Sequence, residues 1–245
     1  MNKIINITIS IVLAVFLIGC ASAPPMIPLS STFYDESDKK IGIVYSQAPV
    51  AETQYTGSIG LLDYGIISAV NSGLDKHLKA LTFPEYEQFV HSLKPLLEDK
   101  GFSTVVVAPE ITSKESDKLK DPKDGLSKND FSTYREQYDV DMLLIVQFHS
   151  IGTSRSYYGP APTSEPIAMS RMTVRIVDLH SKQLHLYSRV NASKVIPLPW
   201  DESDSNYPNL TNAVYQSVDE AFRVSKLLLT SNNKSTVEPS EIGSN

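Results

Sequence analysis

The chain holds a single cysteine, Cys20, and it closes an N-terminal apolar run. Everything after it must fold without a disulfide, a metal-thiolate site or a cysteine nucleophile, so packing alone has to hold the core. Material for a core is present: of 245 residues 41% are hydrophobic, 9% aromatic and 20% charged. That balance fits one ordinary globular domain and excludes a disordered or multi-span membrane chain. Lys plus Arg number 22 against 28 Asp plus Glu, a formal charge of -6. No basic field is left to hold a phosphate backbone, and nucleic acid is not expected as a partner.

The run opens with the cationic stretch Met1-Asn2-Lys3, continues through an Ile-, Val- and Leu-rich segment and finishes in Leu17-Ile18-Gly19-Cys20. These are the three regions of a secretory signal peptide. Asn6, Thr8 and Ser10 interrupt the run, which falls short of the roughly 20 apolar residues that span a bilayer. The Leu-Ile-Gly-Cys ending resembles the lipobox of bacterial lipoproteins. The resemblance implies diacylglycerol on the Cys20 thiol, cleavage after Gly19 and acylation of the new amino end. Several chains anchor stably where one is marginal, each buried methylene adding about 0.8 kcal/mol. The family's sorting rule reads the next residue, where Asp tends to retain the protein in the inner membrane. Ala21 stands there, which implies an outer-membrane lipoprotein facing the periplasm, or one on the cell membrane where there is a single membrane.

Four segments follow from composition: a signal peptide over 1–19, a lipidated tether over 20–38, one domain over 39–230 and a disordered tail over 231–245. The tether reading rests on Ala23-Pro24-Pro25, Pro28 and Ser30-Ser31-Thr32. The tail is polar and without hydrophobic periodicity. Within the domain Lys40 to Tyr45 reads as a buried strand. Leu62, Ile66, Val70, Leu74 and Leu78 recur every four residues, which predicts one helix with a buried stripe. Thr82-Phe83-Pro84-Glu85 fits a capping box that starts a second helix, burying Phe89, Val90, Leu93 and Leu97. Pro95 should kink or break that helix early, and Gly101 suits its end.

Val105-Val106-Val107 marks the second strand, the polar stretch 109–129 a loop, and 130–138 a short helix. Residues 139–146 predict a central strand covered on both faces, one face turning polar at Gln147 and His149. Met172, Val174 and Ile176 alternate with Thr173 and Arg175, and Leu184, Leu186, Val190 and Ala192 with His185, Tyr187, Arg189 and Asn191. These predict a hairpin of half-buried strands. A helix over 210–229 closes the domain. The fold class is α/β: a single domain with a mixed, mainly five-stranded sheet packed by helices, in the order β-α-α-β-α-β-β-β-α.

That order, with Tyr138-Asp139-Val140-Asp141 at the start of the central strand and Val174-Arg175-Ile176-Val177-Asp178-Leu179 leading into Leu184, resembles a module of bacterial envelope lipoproteins. Its members include the curli secretion lipoprotein and lipoprotein activators of peptidoglycan synthases. The resemblance implies a task in envelope assembly: a secretion pore, a synthase contact or a scaffold. A pore-former needs extra strands of about 9 to 11 residues with an outward apolar band. The segment 150–167, rich in Gly, Ser, Tyr and Pro, cannot supply that band and reads as a loop insertion.

Motifs for chemistry are absent: no Gly-x-Ser-x-Gly elbow, His-Glu-x-x-His or phosphate loop occurs. The five histidines are scattered except for His180 and His185, so no metal site is expected. Asp201-Glu202-Ser203-Asp204 lacks calcium-loop spacing. No catalytic residue and no cofactor is assigned. Two loops hold aromatic groups suited to partner contact, Tyr157 and Tyr158 in one and Trp200 in the other. They form one recognition surface if both lie at one end of the sheet. The chain is therefore expected to be a non-enzymatic lipoprotein, anchored in the membrane through Cys20. It would serve as a binding or assembly factor for a cell-envelope or secretion machine, with an envelope protein as partner and self-association left open. The alternatives are an envelope hydrolase with a dispersed site built from acids and His149 or His185, and a small-ligand receptor.

Overall fold

The computed structural model describes residues 25–106, 117–118, 125–127 and 129–230. Strand β1 (Lys40–Tyr45) is short, apolar and β-branched, and lies parallel between β3 (Ser103–Val106) and β6 (Met142–Tyr158). Strand β6 pairs antiparallel with β8 (Ile167–Asp178), and β8 with β9 (Leu184–Val195), giving the order β3-β1-β6-β8-β9. Five strands thus make the backbone of a mixed sheet, as the alternation of the sequence predicts. Two more join the far half of β6: β2 (Glu52–Ser58), which runs parallel to it, and the short β7 (Ala161–Pro162). A separate two-stranded pair links β4 (Asp117–Lys118) and β5 (Asn129–Asp130).

Five helices complete the described domain: α1 (Leu61–Val70), α2 (Ser72–Lys79), α3 (Glu85–Glu98), α4 (Ser132–Tyr138) and α5 (Pro208–Thr230). The main core lies where α3 and α5 cover one face of the sheet. There Leu93, Leu97, Val214 and Val218 meet Ile43, Leu144, Val174 and Leu186. Phe89 of α3 stacks on Phe222 of α5 with ring centroids 4.4 Å apart and planes 5° from parallel. Among the described residues the other face is covered near the start of β6, where Phe131 and Tyr134 of the α4 region pack on Val44, Leu143, Ile145 and Val177. From Gln147 onward no described residue covers that second face, as the polar turn at Gln147 and His149 predicts.

Part of the segment expected as a tether, from Ile27 to Asp38, is packed on the domain, and residues 20–24 lie outside the described residues. From Ile27 the chain lies along β9, exchanging backbone hydrogen bonds with Tyr187 at 2.8 and 2.9 Å. Phe33, in a 3-10 turn over Phe33–Glu36, is fully buried and stacks on Phe102. One large aromatic outweighs the Pro- and Ser-rich neighbours that composition weighs.

The predicted stripe of one long helix does not form. Leu62, Ile66 and Val70 face solvent, whereas Leu74 and Leu78 are buried. The cause is Asn71, whose side-chain amide donates to the Ile67 carbonyl at 2.7 Å. That bond competes with the helical ladder and breaks the chain into α1 and α2, so the two halves of the stripe point differently. The capping box also fails: α3 begins after Pro84 without a side-chain cap, and the Thr82 carbonyl accepts the Tyr215 hydroxyl instead. Pro95 does not end α3, which continues to Glu98: the proline forfeits one ladder bond, while its carbonyl still accepts the Asp99 N–H at 2.9 Å. The segment 150–167 is not a loop insertion, because β6 runs through a bulge between Phe148 and Ser150 to Tyr158. Its small residues admit β2 closely: a Cβ on Gly152 would stand 2.0 Å from the Glu52 carbonyl oxygen.

Candidate functional site

Strand β6 ends in the two tyrosines singled out from the sequence, and the pleat sends them opposite ways. Tyr157 is only 4% exposed: its ring meets Tyr55 edge-on at 5.6 Å and its hydroxyl accepts the Asn71 amide at 3.2 Å. It is a packing residue and drops out of any contact surface. Tyr158 is 74% exposed. Trp200 is half-buried against the core, with its indole N–H donating to the Glu165 carboxylate. Arg155 joins the two segments, its guanidinium lying 4.7 Å from the Trp200 ring and 5.8 Å from the Tyr157 ring. Its Nε donates to the Ser164 carbonyl at 2.9 Å. The tyrosine end of β6 and the Trp200 loop thus share one end of the sheet, tied by an arginine that no spacing pattern marks.

At the other end, the 3-10 turn brings Glu36 and Lys39 against the β8–β9 turn. Lys39 Nζ lies 2.6 Å from Glu36 Oε2 and 2.9 Å from Asp178 Oδ2. The second Asp178 oxygen accepts the backbone N–H groups of His180 and Ser181 at 2.9 and 2.6 Å, and the Ser181 hydroxyl at 2.9 Å. These bonds outweigh burial and hold the Asp178 carboxyl well below the usual range, while its partners push Lys39 upward. His185 is buried beside them with Nδ1 unpartnered, and burial lowers its pKa. Glu36, Asp178 and His185 offer three ligand atoms within 4.8 Å of one another. The Lys39 ammonium already occupies the place between the two carboxylates, so a metal ion would have to displace it. The cleft of about 400 Å³ here is a clamp between the N-terminal segment and the hairpin turn. His185 joins the acids in it, and His149 does not.

The bare face of the sheet carries the third cluster. Register sets Thr173 of β8 opposite Arg189 of β9, Arg175 opposite Tyr187 and Arg171 opposite Asn191. With Gln147 and His149 of β6 they line a cleft of about 410 Å³ with no carboxylate in its wall. Arg175 donates to Gln147 Oε1 at 2.7 Å, lies 5.1 Å from the Phe131 ring and keeps a buried Nε without a partner. Burial lowers its pKa to about 10. His149 shares a 2.7 Å hydrogen bond with the Thr173 hydroxyl, and burial together with the Arg175 charge lowers its pKa. Arg171 donates to Gln54 Oε1 at 3.0 Å. None of the three arginines makes an ion pair with a described residue. In a chain of charge -6, this is a local positive field suited to an anion or an acidic segment. The sequence carries half of the signal, the alternation of Thr173 and Arg175 with apolar neighbours. The meeting of arginines from two strands is a fact of register.

No protein-family model matches the chain, and no curated protein matches it. Solved structures with some likeness include hypothetical protein CT253 from Chlamydia trachomatis, with TM-score 0.34, 9% identity and coverage of 77% of this chain and 98% of that one. A neuraminyllactose-binding hemagglutinin homolog from Helicobacter pylori gives 0.33 and 11%, over 78% and 84% of the two chains. Lipoprotein GNA1162 from Neisseria meningitidis gives 0.24 and 10%, over 73% and 99%. Likeness at this level carries no function from those proteins to this chain. Among the described residues no helix is long and apolar enough to cross a membrane.

Proposed function

We propose that the chain is a lipoprotein, anchored through Cys20 in the outer membrane and facing the periplasm. Its domain acts there as a non-enzymatic binding or assembly factor for a machine of the cell envelope. The lipobox-like Leu17-Ile18-Gly19-Cys20 supports the anchor. The observation that carries the binding role is the bare sheet face, where Arg171, Arg175 and Arg189 stand without a carboxylate in the wall of their cleft. The partner such a face fits is an acidic segment of another envelope protein. Among the described residues the acids that gather beside a histidine are Glu36 and Asp178 at His185, and both are engaged by the Lys39 ammonium.

Crosslinking the intact lipoprotein in its own cells tests the reading, beside the variant Arg171→Ala/Arg189→Ala. Both residues are exposed, so the fold should tolerate the change. Capture of one envelope protein that falls about tenfold in the variant supports a binding module, the loss being about 1.4 kcal/mol. Equal capture by both proteins overturns the arginine face. A small molecule retained on the purified protein, with no protein captured, overturns the binding-factor role.

A further inference from the structure

Helix α1 is unusual for a surface element. Of its ten residues only Ile67 is buried, while Leu61 is 97% exposed and Leu62 and Val70 are each 80% exposed. Among the described residues nothing covers this apolar ridge, and a contiguous exposed apolar surface marks a contact. We propose that this end of the domain, with α1 at its front, rests on the lipid bilayer that holds the Cys20 anchor. The proposal depends on the lipidation of Cys20.

Three observations choose a bilayer over another occupant. The first is direction. Ile27 pairs antiparallel with Tyr187, so the chain preceding it heads along β9 toward Val195, the end at which α1 lies. Five peptide steps separate Cys20 from Pro25, a reach of at most about 17 Å. Carried on from the Ile27–Tyr187 bridge, this register sets Pro25 level with Arg189, and the six residues from there to Val195 span about 20 Å. The anchor and the apolar end therefore point the same way. The second is distribution. Ile167 and Val195 are cross-strand partners on the face opposite the α3 and α5 core, and both are exposed. Helix α1 packs through Ile67 and Asn71 beside Tyr157, on the core side. Apolar groups thus surround the end from both faces of the sheet, whereas a docked protein needs only one. The third is charge. Helix α1 has no Lys or Arg, and the carboxylate of Asp63, its one charged residue, accepts the Gly60 N–H at 2.9 Å. Attraction to anionic headgroups is not what holds it. Tyr64 and Tyr158, both exposed at this end, suit the headgroup level where tyrosine collects.

Because Cys20 is the only cysteine, a lipidated thiol leaves a second, introduced cysteine as the one site for a label. The full lipoprotein bearing Val70→Cys or Glu136→Cys, the latter on α4 at the opposite end, is labelled with an environment-sensitive dye. It is then reconstituted into phosphatidylcholine vesicles containing nitroxide-labelled lipid. Quenching at position 70 should exceed that at 136 by about threefold or more, as for an apolar face buried at the interface. It should be unchanged when phosphatidylglycerol is added, and should fall to the level of position 136 in Leu61→Glu/Leu62→Glu. Equal quenching at the two positions overturns the proposal. So does energy transfer between labelled copies at position 70 that persists on lipid dilution, the mark of a second copy on the ridge. An unacylated Cys20, visible as a mass without lipid and as a labelled thiol at position 20, overturns the anchor reading instead.

Discussion

One chemical change, glycine to alanine, should act with opposite sign at two places only a few residues from the same strand end. At Gly152 the backbone has φ +134°, and an added Cβ would lie 2.0 Å from the oxygen and 2.9 Å from the carbonyl carbon of Glu52. Glu52 is its register partner in the parallel β2–β6 ladder, so the clash is with backbone that cannot turn aside. Holding alanine in a glycine-only region costs about 1–3 kcal/mol. Opening the ladder at that rung removes hydrogen bonds worth about 1 kcal/mol each. Gly152→Ala should therefore lose about 2–4 kcal/mol, a fall of roughly 1–2 M in the urea midpoint for a slope near 2 kcal/mol per M. Gly65, inside α1, meets nothing within 4 Å of its added Cβ, and Gly65→Ala should gain about 0.5–1 kcal/mol from helix propensity. Urea unfolding of the detergent-solubilised protein, followed by the fluorescence of Trp200 and by far-UV circular dichroism, reads both. Hydrogen exchange should rise over Glu52–Ser58 in Gly152→Ala alone. A Gly152→Ala midpoint within about 0.3 M of the parent would refute the steric argument, as would a loss of similar size in Gly65→Ala.

Replacing Lys39 by Met removes the cation shared by Glu36 and Asp178. Its side chain is 34% exposed, so the loss should be about 1–3 kcal/mol, below the 3–5 of a fully buried pair; thermal unfolding checks it, and adding Asp178→Asn should restore part. The Asp178 carboxyl is held below its ordinary value, so its contribution is full above about pH 4 and is lost as pH falls further; Asp178→Asn should flatten that limb of a stability–pH profile. His149 and His185 are lowered by burial, so the unfolded chain takes their protons first; stability should be full above about pH 6.5 and decline below it. His185→Gln should weaken the pH 5 to 7 slope, read by urea midpoints across that range. Phe89→Ala empties one half of the Phe89–Phe222 stack and should cost about 3–5 kcal/mol in the same denaturation assay.

What was legible in the sequence follows from how each element is covered. Strand β6 between two layers reads as a continuous apolar run, β8 and β9 as alternation, and α5 as a stripe through Val214, Val218 and Leu229. Strand β2, Glu52-Thr53-Gln54-Tyr55-Thr56-Gly57-Ser58, buries none of its residues below the surface layer. Its pairing with β6 through backbone therefore leaves no hydrophobic pattern to read. In the cluster of Glu36, Asp178 and His185 the last two share the β8–β9 hairpin, but Glu36 comes from far off in the sequence, brought there by the docking of the N-terminal segment along β9 through Ile27 and Ser30. In α1 a period of four reads as a buried face, but hydrophobic residues at helical spacing require only that something apolar cover them.

That covering need not be strong to matter. A ten-residue helix face would bind a bilayer weakly by itself, because fully burying a leucine contributes only about 1.5–3 kcal/mol. With the proposed tether through Cys20, the same contact would become intramolecular, with an effective concentration in the millimolar range for a short linker. A millimolar dissociation constant corresponds to about 4 kcal/mol, so burial of Leu61 and Leu62 alone reaches the range in which the helix is engaged about half of the time or more. On the proposed anchor the acyl chains would hold the protein on the membrane, and α1 would decide how the domain stands on it. With the α1 end down, the strands of the sheet rise from the surface, and the arginine face between β6 and β9 opens sideways, where an acidic partner in the same envelope layer can reach it. Leu61→Glu/Leu62→Glu should therefore leave the lipoprotein membrane-bound and folded while lowering capture of its partner in cells. Capture that is unchanged despite loss of quenching at position 70 would separate the orientation of the domain from its binding.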